Sequence, residues 1–322
     1  MVRMIDVAQE AGVSVATVSR VLNGANVRPE AQAAVRSAVE KLGYAPNRAA
    51  RTLRRRTSDV VGLIVADIEN PFFTTFARTV EDKAHEQGLS IVLCNSDEDP
   101  AKEARYLQVA IDSQMAGVIV FPASDTTDLR PLVERGMAVV AVDRELPGEY
   151  PSVRFNNREL GIVATKHLAE AGCIRIACVT GPSRLSTAEK RAEGWRDALG
   201  ERGLVGDDDL LIHADFRVEG GRHAAAQLLD LSHPPDAILA TNNLAGVGVL
   251  RELAARGDSD TIVGVIGELP FATSMSGQVQ ITPLPVGELA REAWLLLQSR
   301  MASGDDTVNT VIIDTPAPQV WG

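Results

Sequence analysis

Met4-Ile-Asp-Val-Ala-Gln-Glu-Ala-Gly-Val-Ser-Val-Ala-Thr-Val-Ser-Arg-Val-Leu-Asn23 predicts two short helices joined by a tight turn. The first covers residues 5–11, with Ile5, Val7, Ala8 and Ala11 as its inner surface. Gly12 suits the turn, because a positive φ costs glycine little. Ser14 is a natural N-cap for the second helix, residues 15–23. Val18, Val21 and Leu22 face inward by the i, i+3, i+4 rule, and the small Ala8 lets the two helices cross closely. That leaves Val15, Ala16, Thr17, Ser19 and Arg20 outside. A third helix, residues 29–42, opens on Pro29 at a tolerated first position, with Val35, Val39 and Leu42 as its core stripe. The pattern is a helix-turn-helix. Set in a major groove, Val15 and Ala16 would meet base edges. Arg20 could bond a guanine through O6 and N7, and Thr17 and Ser19 could bond phosphates.

The charge distribution agrees. Through Arg56 there are 10 Lys and Arg against 4 Asp and Glu, and beyond it 22 against 39, so a net +6 is followed by −17. One end suits a polyanion and the other does not. The total of −11 argues against the whole chain coating nucleic acid, so any DNA contact must be local and oriented. Aromatic residues are only 4% of the chain, which offers no stacking platform for single strands. Cys94, Cys173 and Cys178 lack metal-ligand spacing and read as reduced thiols of a cytoplasmic protein. No run approaches the length of a membrane span and no signal peptide is evident. His85, His167, His213, His223 and His233 are scattered. The expectation is therefore no catalytic residue, no metal and no cofactor.

At 322 residues two or three domains are expected. From Val60 onward, strand-like apolar runs alternate with amphipathic helices. Strands are expected at 60–65, 91–94, 117–121, 138–142, 174–180, 237–240, 261–266 and 307–314. Helices are expected at 72–87, 101–113, 128–135, 157–171, 187–202 and 244–256. Such alternation builds doubly wound parallel sheets with right-handed crossovers. The fold class is thus α/β, with an all-α helix-turn-helix headpiece and a two-lobe body. Its cleft should lie at the carboxyl ends of the strands. Short strings that carry a family resemblance, each just after a strand or at a helix start, supply the candidate cleft residues. Arg191 offers a planar fork for paired oxygens. Asp143 and Asn242 could bind a polar ligand or cap a helix. Phe73 could stack on a ring or fill core, and Trp195 reads as packing. No dinucleotide fingerprint or P-loop is present.

Asp6-Val-Ala8, Ala11-Gly-Val-Ser-Val-Ala-Thr-Val-Ser-Arg-Val-Leu-Asn-Gly24 and Leu42-Gly-Tyr-Ala-Pro-Asn-Arg-Ala-Ala-Arg-Thr-Leu53 strongly resemble the lac repressor/gal repressor (LacI/GalR) family of bacterial transcription regulators. The resemblance implies that Val15, Ala16 and Arg20 read bases and that Thr17, Ser19 and Asn23 anchor the backbone. By composition, residues 46–56 are a charged linker of fair helical propensity. The resemblance makes residues 47–58 a hinge helix that forms only on DNA. It adds Asn47, Arg51 and Leu53 to the contacts, with paired Leu53 side chains wedged into the minor groove. The implied organisation is a headpiece over residues 1–46, the hinge over 47–58 and an effector-binding, dimerising body over 59–322.

In the body, Asn70-Pro-Phe-Phe73, Val142-Asp-Arg144, Asn156-Asn-Arg-Glu-Leu-Gly161, Gly181-Pro182, Arg191-Ala-Glu-Gly-Trp195 and Ala240-Thr-Asn-Asn243 carry the resemblance. It implies a periplasmic-binding-protein-like domain taking a sugar or related metabolite. The implied function is a repressor that binds a near-palindromic operator as a homodimer, with helix 72–87 in the body interface. Three departures stand out. Arg28-Pro-Glu-Ala31 replaces the usual Ser-Pro-Glu-Thr, so a hydroxyl cap is missing, and Arg28 could replace it by charge. Gly267 stands where relatives carry a sugar-binding acid, leaving Glu268 one place later. Leu284-Pro285 replaces Gln-Pro. The last two reduce the cleft's hydrogen-bonding capacity and leave room for a more apolar ligand, or for a repressor that needs none. A solute-binding module without a DNA role is the other alternative.

Overall fold

A computed structural model describes residues 2–22, 25–44, 58–204, 206–269, 278–303 and 308–321. The chain divides into two compact units, Met1–Ser58 and Asp59–Gly322.

Three helices make up the described part of the first unit: α1 (Met4–Glu10), α2 (Val15–Leu22) and α3 (Pro29–Leu42). Val7, Ala8, Val18, Val21, Val35, Ala38 and Tyr44 close its core. Gly12 has φ 62, so the turn between α1 and α2 sits where a side chain would be strained. Ile5 is a correction. It is 46% exposed, because α1 begins one residue early and Met4 takes the inward place beside Val7 and Ala8. Arg28 precedes α3 without a side-chain capping bond. The expected hinge through residue 57, and Asn23, Asn47, Arg51 and Leu53 with it, lie outside the described residues.

The second unit holds two six-stranded sheets. Sheet one contains β1 (Val60–Val65), β2 (Ser90–Asn95), β3 (Gly117–Val120), β4 (Ala138–Val142), β5 (Ser152–Phe155) and β11 (Thr310–Ile313), in the order β11-β5-β4-β3-β1-β2. Sheet two contains β6 (Ile176–Thr180), β7 (Leu211–His213), β8 (Ala237–Ala240), β9 (Ile262–Ile266), β10 (Val279–Thr282) and β12 (Gln319–Trp321), in the order β12-β10-β9-β8-β6-β7. Only the β10–β12 pair is antiparallel among the pairs described. Continuous apolar runs such as Val-Val-Gly-Leu-Ile-Val in β1 suit strands covered on both faces.

Helices flank both sheets. Around sheet one lie α4 (Pro71–Glu86), α5 (Pro100–Asp112) and the single turn α6 (Arg130–Val133). Around sheet two lie α7 (Asn157–Glu170), α8 (Ser186–Glu201), α9 (Val218–Leu229) and α10 (Asn243–Arg256). The helix α11 (Val286–Ser303) follows β10 of sheet two yet packs on α4 and sheet one. The chain therefore passes between lobes three times, after β5, after β10 and after β11. A cut-and-paste of two successive lobes would cross once.

Two expected elements shrink for local reasons. The helix expected at 128–135 reduces to α6, which starts two residues late at Arg130, where the Asp128 carboxylate accepts the Arg130 N–H at 3.0 Å. The strand expected from 174 starts at Ile176, because the N–H groups of Ile174 and Arg175 are taken by the Asp236 carboxylate at 2.8 and 3.0 Å. Beyond the strand expected at 307–314, a further strand, β12, completes sheet two.

Candidate functional site

Two surfaces gather the described residues expected to function, and each is built by a helix start or a strand end. In the first unit, Ser14 caps α2: its Oγ accepts the Thr17 N–H at 3.1 Å and lies 2.9 Å from the Thr17 hydroxyl. With Val18 and Val21 buried, the opposite side of α2 is set. It shows Val15 (40% exposed), Ala16 and Arg20, with Thr17 and Ser19 half-buried at its margins. All five residues expected on the outward face of this helix are therefore together. The Arg20 guanidinium makes no hydrogen bond among the described residues, which leaves its fork available. Ser14→Ala is expected to weaken α2 by about 1 kcal/mol, read as faster hydrogen exchange at the Thr17 amide. Unchanged exchange would show that the cap contributes nothing.

In the second unit, a cleft of about 310 Å³ opens between the lobes. Its lining comes from residues just past strand ends: Asp67 after β1, Glu98 after β2, Asp143 and Arg144 after β4, Asp215 and Phe216 after β7, Asn242 after β8 and Gly267 after β9. Phe73 and Arg191 reach it from α4 and α8. This is the placement expected of open α/β sheets. The lobes also touch directly. Asn243 donates to Asn70 at 3.0 Å, and Lys190 pairs with Glu145 at 2.6 Å. Asp125 of one lobe accepts the Ser186 N–H at 2.8 Å and its hydroxyl at 3.1 Å, so it caps α8 of the other.

Arg191 is only 5% exposed. Its Nε donates to the Asn157 side-chain oxygen at 2.8 Å and its Nη1 to the Thr241 carbonyl at 2.7 Å. Both acceptors are neutral. Burial therefore lowers the guanidinium's pKa, with the Asp143 charge opposing, though it stays cationic at any physiological pH. The site depends on helix packing as well: a Cβ on Gly161 of α7 would overlap the Arg191 carbonyl. Trp195, one turn further along α8, is fully buried and donates its Nε1–H to the Ile176 carbonyl at 3.1 Å.

Phe73 and Asn242 keep both of their open roles, whereas Asp143 caps no helix among the described residues. Phe73 lines the cleft and packs edge-to-face on Phe72 and Phe121, with centroids 5.1 and 5.0 Å away. Asn242 caps α10 by accepting the Ala245 N–H at 2.9 Å, and donates to the Phe216 carbonyl at 2.8 Å, while still lining the cleft. Asp143 has φ 69 and a buried Oδ1 without a hydrogen-bond partner. Sequence reasoning missed Glu98 and Phe216, and quoted Arg144 only within Val142-Asp-Arg144 without giving it a role. Glu98 and Phe216 also have positive φ, 59 and 61. Three non-glycine residues in this costly region line one cleft, and such strain gathers at binding sites. Leu284 and Gly267 line the cleft without a polar side chain, and Glu268 is exposed at its edge. Among the described residues, no group of three or more His, Cys, Asp or Glu could hold a metal ion, and no helix is long and apolar enough to cross a membrane.

Comparison with known proteins agrees with this construction. Residues 3–47 match the family of bacterial regulatory proteins, lacI family, and residues 58–292 match the periplasmic binding proteins and sugar binding domain of the LacI family. The ribose operon repressor of Halalkalibacterium halodurans is 35% identical over 92% of this chain and 89% of its own length. Among solved structures, the transcriptional regulator CelR in its cellobiose complex shares 27% identity at TM-score 0.72, covering 100% of this chain and 99% of its own. The lac repressor dimer bound to operator and the anti-inducer ONPF has the same fold, at TM-score 0.83 and 20% identity over 100% of this chain and 98% of its own. The helix-turn-helix headpiece, the two-lobe body and the extent of these matches make this chain a DNA-binding transcriptional regulator that belongs to the LacI family.

Proposed function

We propose that this protein is a cytoplasmic repressor that binds a near-palindromic duplex as a homodimer and releases or grips it in response to a small polyhydroxylated metabolite in the interlobe cleft. The observation that carries the DNA half is the exposed face of α2, where Val15, Ala16 and Arg20 stand clear of the core on a capped helix. In this reading Val15, Ala16 and Arg20 meet base edges, and Thr17, Ser19 and Asn23 hold phosphates. Asn47, Arg51 and Leu53 act from a hinge over residues 47–58. The names of relatives, a ribose operon repressor and a cellobiose-bound regulator, support a sugar as the effector. Phe73, Asp143, Arg191 and Asn242 are its proposed contacts. Pairing of two bodies is supported by an apolar edge on sheet one. Val92 and Leu93 of the edge strand β2 are each 40% exposed beside α4.

Ligand moves the equilibrium only through its different affinities for the DNA-competent and DNA-incompetent arrangements. The test begins with selection of binding sites from random duplexes by the purified protein, followed by titration at fixed salt. Arg20→Ala is expected to lose about 1–3 kcal/mol on the selected site and to relax base preference at one position of each half-site. An equal loss on all duplexes would make Arg20 a phosphate contact instead. Failure to enrich any duplex would refute the proposal.

A further inference from the structure

We propose that Glu98 is a specificity-determining residue of the cleft, and that with Asp143 it selects an unphosphorylated ligand rich in hydroxyl donors against sugar phosphates and other anions. The inference rests on the reading of the cleft as the effector site and narrows its chemistry. Glu98 lines the cleft on the turn that follows β2. Asp97 and Glu98 both have left-handed backbone, φ 54 and 59. Two successive side-chain-bearing residues in that region are costly and persist only where their surroundings require it. One requirement is plain. Glu98 Oε1 accepts from Arg144 Nη2 at 2.6 Å, and the Arg144 side chain is only 6% exposed. The second guanidinium nitrogen, Nη1, donates to the Pro122 carbonyl. Arg144 is thereby locked, and it presents Glu98 to the cleft.

The other carboxylate oxygen, Glu98 Oε2, is buried and has no hydrogen-bond partner among the described residues. The same holds for Asp143 Oδ1. Both belong to cleft-lining residues. A carboxylate only accepts, so a ligand that completes this cleft must bring hydrogen-bond donors to both oxygens. Hydroxyl groups do so, whereas phosphate and carboxylate oxygens bring acceptors and negative charge. The charge around Arg144 points the same way. Burial opposes its ionised form, but the carboxylates of Glu98, Asp143 and Asp125 outweigh that and hold its pKa above the ordinary value. Over the whole lining, the carboxylates of Asp67, Glu98, Asp143, Asp215 and Glu268 stand against the guanidiniums of Arg144, Arg191 and Arg217, so the cleft is net negative. Arg191 supplies the complementary feature. Its Nε and Nη1 are committed to neutral oxygens, and Nη2 makes no hydrogen bond among the described residues. One ligand hydroxyl could donate to Asp143 and accept from Arg191, while a second donates to Glu98. The cleft volume, about 310 Å³, suits a single sugar ring with such hydroxyls. A pocket built on buried acceptors rejects an analogue that leaves them unpaired far more strongly than it rejects a change in size.

The experiment uses the purified full-length protein and matched pairs of probes: D-ribose with ribose 5-phosphate, D-glucose with glucose 6-phosphate, and D-fructose with fructose 1-phosphate. Each is screened by thermal shift, and any hit is titrated by calorimetry. The expected result is that in every responding pair the neutral sugar binds at least ~100-fold more tightly than its phosphate. Glu98→Gln is expected to weaken the neutral sugar at least ~10-fold and to narrow the gap within the pair. A phosphate that binds as tightly as its parent sugar, or better, would overturn the inference while leaving the effector reading intact. So would an unchanged affinity in a folded Glu98→Gln protein. Because the paired comparison is made on the unsubstituted chain, it decides the matter even if that variant fails to fold. Silence from all three pairs would overturn the reading of the cleft as a small-sugar site, and this inference with it.

Discussion

Trp195→Ala is expected to cost about 3–5 kcal/mol of stability, the range for emptying a large aromatic site in a close-packed core. The residue is fully buried and belongs to the main core cluster of the body. Its loss leaves a cavity, and it also strands the Ile176 carbonyl that its indole N–H satisfies at 3.1 Å, which adds a desolvation cost. Natural domains are stable by only about 5–15 kcal/mol, so this single change should bring the body close to unfolding at growth temperature. It should reach function as well, because Trp195 anchors the same face of α8 that carries Arg191 four residues earlier. Urea unfolding followed by tryptophan-independent far-ultraviolet dichroism gives the measurement. A loss below about 1 kcal/mol would mean that the core collapses around the site, contrary to the packing described here.

Arg191→Ala is expected to weaken effector binding by about 2–5 kcal/mol, the usual cost of removing a buried, hydrogen-bonded charge from a binding site. The guanidinium is held by Asn157 and Thr241 before any ligand arrives, so little ordering entropy is charged to the binding step. Arg191→Lys should recover little, since an ammonium cannot bond both anchors and still reach into the cleft with a planar fork. Calorimetry with whichever sugar gives the largest thermal shift reads the loss. Operator affinity without effector should stay within a few-fold of the parent. An effector affinity that survives the alanine would place the ligand elsewhere, and a collapse of ligand-free DNA binding would make Arg191 a structural residue only.

Legibility of the chain followed the strength of its local signals. The bounds of α3 could be read because Pro29 opens it and Gly43 closes it in left-handed geometry. The strands β1, β3, β4 and β8 could be read because they are unbroken apolar runs flanked by polar turns. Short strands were not: β7 has three residues, and β5 carries Arg154 in its middle. The helix α9 begins Val-Glu-Gly-Gly, a poor helical start by propensity. Tertiary packing requires it, since a Cβ on Gly221 would strike the Ala245 backbone of α10. The same contrast holds in the cleft. Asp143 and Asn242 follow unbroken, fully buried apolar strands and could be placed there in advance. Glu98 and Phe216 depend on backbone turns of positive φ that no residue type at those positions announces. The three passages between lobes were equally hidden, because each connects elements that look locally like any other strand-to-helix step.

Those three passages bear on how the protein is made. Sheet one is finished by β11 and sheet two by β12, so residues 310–321 supply an outer strand to both lobes. A chain emerging from the ribosome at its amino end presents the headpiece early, but each sheet gains one of its edge strands only when these residues arrive. Domains ordinarily fold one after another during synthesis. Here both lobes receive an edge strand late, and the outer edges of β5 and β10 stay unpaired in the interval. A nascent chain stalled before residue 310 would hold every cleft-lining residue on two sheets that each lack one edge strand.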